Sequence, residues 1–96
     1  MNPSETLRKH RNAVLAIARA RNVANVRVFG SVLHGNDSEA SDIDLLVDAP
    51  RGTTLLDMAQ LQADIQEQLG VAVDVLTPDD LPPSFRHQVL SEAQPL

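Results

Sequence analysis

Val26-Arg27-Val28-Phe29 runs into Gly30-Ser31, and eleven residues after Ser31 a second apolar run opens with Asp42-Ile43-Asp44. Strand side chains alternate between faces, so Asp42 and Asp44 project to one side, ~6–7 Å apart along a strand. Two like charges that close repel each other unless a cation lies between them. A hard divalent ion such as Mg²⁺ takes carboxylate oxygens and bridges to phosphates. Asp74 is a third carboxylate inside an apolar run, Val71-Ala72-Val73-Asp74-Val75-Leu76. Burying it is costly unless it is paired, protonated or bound to metal. If that run neighbours the Asp42 strand, three carboxylates share one sheet edge. Such a set can hold two Mg²⁺ ions about 3.5–4 Å apart, the arrangement for displacement at phosphorus. Gly30 would let the backbone approach a phosphate, and the N–H groups of the next turn with the Ser31 hydroxyl would donate to it.

Two look-alike motifs fail on their own residues. Gly30-x-x-x-x-Gly35 imitates the opening of a P-loop, but Asn36-Asp37 stands where Lys and Ser or Thr are required. Asp42-x-Asp44 imitates a calcium loop, but Leu46 and Val47 occupy positions that need a ligand and a glycine.

The elements that position these residues read out in order. Ser4 caps a first helix carrying Leu7, Val14, Leu15, Ile17 and Ala18 at helical spacing and ending near Asn22. Val23–Phe29 is a strand, Ser31–His34 has room for one helical turn, and Asn36–Ser41 is a polar loop. Ile43–Val47 is a second strand, stopped by Ala49-Pro50-Arg51-Gly52. Thr53 or Thr54 starts a helix with Leu55, Met58, Leu61, Gln62, Ile65 and Leu69 on one stripe, and Thr54 with Asp57 resembles a capping box. Gly70 ends it, Val71–Leu76 is a third strand, and a last helix from Pro83 to Glu92 turns Phe85, Val89 and Leu90 inward. Strands alternating with helices imply a layered α/β architecture.

Composition sets the outer limits. Ninety-six residues correspond to one small domain, residues 1–96, without room for a separate substrate module. With two Phe and no Trp or Tyr, the core must come from Leu, Val, Ile and Ala. No cysteine means no disulfide framework, no thiolate nucleophile and no Cys-type zinc site. No stretch approaches the ~20 apolar residues of a membrane span, and the N-terminus carries no secretory pattern. A cytoplasmic protein is expected, with no membrane contact. The net charge of −5 is unevenly spread. Six basic residues (Arg8, Lys9, Arg11, Arg19, Arg21, Arg27) stand against Glu5 through residue 27, whereas Arg51 and Arg86 stand against twelve acids afterwards. That asymmetry suits a charged partner surface, and a solvated helix face accounts for it equally well.

The Gly-Ser turn, the Asp-x-Asp strand and the later strand Asp resemble the polymerase β-type nucleotidyltransferase superfamily. The short length and the terminal Val89-Leu90-Ser91-Glu92-Ala93 with Pro95-Leu96 are similar to its minimal nucleotidyltransferase branch, the antitoxin half of HEPN toxin–antitoxin pairs. The resemblance implies a polymerase β-like fold, α/β in class, with a small mixed sheet of three or more strands and flanking helices. It implies that Gly30 and Ser31 bind nucleotide phosphates and that Asp42, Asp44 and Asp74 bind Mg²⁺ and carry catalysis, with Asp74 activating the acceptor. The implied reaction is transfer of AMP from ATP to a tyrosine of the HEPN ribonuclease toxin in a hetero-oligomer, with pyrophosphate released. Direct nucleic-acid binding is not expected. One position departs from the pattern: many relatives carry a basic residue where this chain has His34, and a neutral imidazole attracts phosphate less than Arg does. That departure and the basic first helix leave a second reading, an antitoxin that works by binding and occlusion. A third, transfer to a small molecule or an RNA end, would need an acceptor domain from another chain.

Overall fold

The computed structural model describes all residues, 1–96. In chain order they form α1 (Pro3–Lys9), α2 (Arg11–Ala20), β1 (Ala24–Phe29), α3 (Gly30–His34), β2 (Ile43–Asp48), α4 (Leu55–Leu69), β3 (Val73–Leu76), a 3₁₀ turn (Pro78–Asp80), α5 (Pro83–Glu92) and β4 (Gln94–Pro95). The four strands make one mixed sheet in the order β3-β2-β1-β4. β1 is antiparallel to β2 and β4, and β2 is parallel to β3, with α4 as the crossover between them. The expected α/β class and mixed sheet are what the chain adopts.

Strand alternation sorts the sheet into two faces. Val26 and Val28 of β1, Ile43, Leu45 and Val47 of β2, and Val73 and Val75 of β3 join one buried cluster with Val14 and Ala18 of α2 and Leu61, Ile65 and Leu69 of α4. The alternate positions, among them Phe29, Asp44 and Asp74, belong to the opposite face. There Leu46 is fully buried yet outside the main cluster, and the 3₁₀ turn packs against β2.

Local chemistry explains most boundaries. Thr54 and Asp57 form the expected capping box at α4, and Gly70 closes that helix at φ +73°. The outer edge of β3 is covered by side chains: the N–H groups of Val73 and Val75 donate to Gln66 Oε1 and Gln62 Oε1, each at 3.0 Å. Four residues of helix and two of strand both advance about 6 Å, so one helix face matches the strand's free donors. A strand edge without such a cover invites pairing with another chain.

Three expectations are corrected. The first helix is two, broken at His10, and its cap is Asn2, not Ser4. Pro3 takes the first helical position, where its missing N–H costs nothing, and Asn2 accepts from the Glu5 N–H. Ser4 instead donates its backbone N–H to Asp37 Oδ2, tying the polar loop to α1. The α4 stripe begins at Met58, because Leu55 is 87% exposed in the first turn and only Leu61, Ile65 and Leu69 are buried. α5 has the expected limits but buries no residue, leaving Phe85 and Leu90 exposed and Val89 partly covered. Polar contacts hold it instead: Arg86 Nη2 donates to the carbonyls of Leu81, at 2.7 Å, and Asp79.

Candidate active site

Register decides which acidic side chains meet. Phe29 of β1 stands opposite Asp44 of β2, and Asp44 stands opposite Asp74 of β3. Residues directly opposite share a face, so Phe29, Asp44 and Asp74 form one row across three strands on the side away from the main core. Asp44 is half-buried, Asp74 is exposed on the edge strand, and Asp42 is exposed one residue ahead of β2.

The Gly30-Ser31 turn closes the row from below. Gly30 has φ +76°, a conformation that side-chain-bearing residues adopt at a cost. It also lies against the Asp44 carboxylate: a Cβ there would overlap Asp44 Oδ2 and stand 3.2 Å from its Cγ. The glycine is required twice, once by the turn and once by the acid beside it. α3 starts at this glycine with Phe29 as its N-cap, and no side chain caps its first turn. The free N–H groups of that turn therefore begin beside Asp44. Gly35, at φ +73°, ends the helix.

Electrostatics at the row are unfavourable as they stand. Burial raises the Asp44 pKa above 3.8, and the charges of Asp74 and then Asp42 push it further in the same direction. A hard cation among these oxygens would remove that penalty, and the donor set of carboxylates suits Mg²⁺. No group of three acidic or imidazole side chains is drawn together tightly enough to enclose an ion by itself. Mg²⁺ commonly uses one or two carboxylates and takes its remaining ligands from water and substrate phosphates, so an open set of this kind fits it.

Several charges that composition left free are engaged. His34 Nε2 lies 3.2 Å from Glu92 Oε2, linking α3 to α5. Asp48, on the far end of β2, accepts from Asn25 and Arg27, and these contacts hold its carboxyl below the usual range. Arg21 pairs with Asp64 at 2.7 Å. Glu92 was invisible as a site neighbour in the sequence, because nothing local connects residue 92 to residue 34. Two depressions of about 310 and 650 Å³ lie at the other end of β2, around Pro50 and Thr53, and neither includes Asp42, Asp44 or Asp74.

Residues 7–96 match the family described as nucleotidyltransferase domain. A candidate protein adenylyltransferase of Methanocaldococcus jannaschii is 37% identical over 93 residues, covering 97% of this chain and 96% of that protein. The protein adenylyltransferase MntA of Thermococcus cleftensis is 34% identical over 70 residues, 73% of this chain and 71% of its own length. Among solved structures, a candidate minimal nucleotidyltransferase superposes with a TM-score of 0.85 at 48% identity, covering 97% of this chain and 95% of that one. A toxin–antitoxin structure with AMP-PNP superposes with a TM-score of 0.75 at 21% identity over 88% of this chain and 69% of that one, a likeness of fold.

Proposed function

Because the chain belongs to the nucleotidyltransferase domain family, we propose that it is a protein adenylyltransferase acting as the antitoxin of a HEPN ribonuclease toxin. The reaction moves AMP from ATP to a tyrosine hydroxyl of that toxin, with residues 1–96 as one catalytic domain in the cytoplasm. The observation that carries the reading is the Asp44–Asp74 pair lying beside the Gly30-Ser31 turn. Relatives at 37% and 34% identity bear adenylyltransferase names, and a structural neighbour is a toxin–antitoxin pair, which supports the choice of acceptor class.

Gly30, Ser31 and the free N–H groups at the start of α3 hold the triphosphate tail. Asp42, Asp44 and Asp74 would hold two Mg²⁺ ions, which would supply neutralisation of the phosphates and activation of the attacking oxygen. Asp74 takes the proton of the acceptor hydroxyl as its oxygen bonds to the α-phosphorus. The bond from that phosphorus to the bridging oxygen breaks, and pyrophosphate leaves. Asp74 is exposed on the edge strand, so a macromolecular acceptor can reach it from solvent.

The test is transfer of α-labelled AMP to a HEPN ribonuclease toxin in complex with this chain. Asp42→Asn and Asp44→Asn should each abolish labelling while the complex still forms; unchanged labelling would refute the mechanism. The His34–Glu92 pair favours a second reading, neutralisation by binding, because the one imidazole at the phosphate turn already faces a carboxylate. Full rescue of cells from the toxin by the double Asp→Asn variant would select that reading.

A further inference from the structure

We propose that the groove between α3 and α5 is the nucleobase pocket of the site, with Phe85 as its stacking platform. The inference rests on the nucleotidyltransferase reading and names where the base of its nucleotide goes.

The chain has two aromatic residues, and both line this one groove of about 330 Å³. Phe29 is the β1 residue opposite Asp44, and Gly30, the start of the phosphate turn, forms part of the same lining. A nucleotide whose phosphates rest at Gly30-Ser31 therefore has its base within reach of the two rings. Phe85 is 44% exposed on a helix that buries nothing, so packing of the core does not explain an aromatic ring at that position. Every nucleobase offers a flat face, and stacking on an aromatic side chain uses such an exposed ring.

The remaining wall is polar and connected. His34 Nε2 meets Glu92 Oε2 at 3.2 Å, and Gln88 Nε2 donates to Glu92 Oε1 at 3.4 Å. The amide of Gln88 is thereby oriented by its nitrogen, leaving its oxygen to accept from a base. Val89 is the remaining apolar residue of the lining. An apolar pocket with a few placed polar groups is the usual form of a small-ligand site. On this account the His34–Glu92 contact also has a purpose: it fixes α5, and with it Phe85, against the helix that begins at the phosphate turn.

The experiment compares ATP with inorganic tripolyphosphate, each titrated calorimetrically into the intact protein in Mg²⁺. Tripolyphosphate carries the tail without the base. The wild type should bind ATP more tightly, and Phe85→Ala should weaken ATP about tenfold, the equivalent of ~1.4 kcal/mol, with tripolyphosphate affinity unchanged. Phe85→Trp should restore the ATP affinity. An unchanged ATP affinity in Phe85→Ala, with tripolyphosphate still bound, overturns the base pocket and leaves the phosphate site standing. Failure of the wild type to bind either ligand overturns the nucleotidyltransferase reading and the pocket together.

Discussion

Gly30 sits against Asp44 so closely that a methyl group on its α-carbon would overlap the carboxylate oxygen. The turn that starts α3 and the acid that opens β2 are thus one fitted unit, although fourteen positions separate them in the chain. Any side chain at residue 30 must either move the acid or move the turn, and both belong to the same site.

Gly30→Ala should therefore damage stability and transfer together. The left-handed φ of +76° alone costs about 1–2 kcal/mol for a residue with a Cβ, before the overlap with Asp44 is counted. Thermal melting and AMP-transfer assays on the one variant should both fall. A variant that melts normally and stays active would show that the acid is free to shift.

Asp44→Asn should stabilise the metal-free protein while removing activity. The Asp44 pKa is raised by burial, then by Asp74 and Asp42, so its ionised form is the destabilising one. For a raised carboxylate, the associated stability is fully present below the unfolded value and is lost as pH rises through the folded value. The asparagine variant should accordingly melt higher than wild type near neutral pH, and the gap should close below pH 3.8. Melts across that range check the sign.

Mg²⁺ with ATP should raise the melting temperature of the wild type. A ligand at about 100 times its dissociation constant adds roughly 2.7 kcal/mol to a protein that binds it only when folded. Asp44→Asn should lose most of that shift, and removal of the metal with a chelator should reverse it in the wild type. An equal shift in both proteins would place the cation away from Asp44.

Gln62→Leu with Gln66→Leu should expose the edge of the sheet. The two amides are the partners of the Val73 and Val75 N–H groups. Leaving buried donors unpaired costs about 1–3 kcal/mol each, and pairing with a second copy would offset the loss. Lower melting temperature and concentration-dependent self-association, read by sedimentation, are the expected results.

Signals confined to a few neighbouring residues were legible in the sequence alone. Thr54 and Asp57 lie three apart and make their capping box without help from the rest of the chain. Gly70 ends α4, Gly30 ends β1, and alternation told which residues of β2 face the core, because each depends on backbone geometry within one turn or one strand. The choice of cap at α1 was local too, but it turned on Pro3 fixing the first helical position, which gave Asn2 the role assigned to Ser4.

Relationships between distant segments were settled only by the fold. That Asp74 stands opposite Asp44 needs β2 and β3 to be parallel neighbours in one particular register, and a slip of one residue would turn Asp74 into the core. The same holds for His34 meeting Glu92, for two glutamines meeting the β3 edge, and for α5 lying with Phe85 uncovered. Strand pairing and helix docking are decided by which packing buries the apolar faces of all the elements at once, a condition no short window of residues contains. The residue types at the site were written in the chain; their meeting point was a property of the packed sheet.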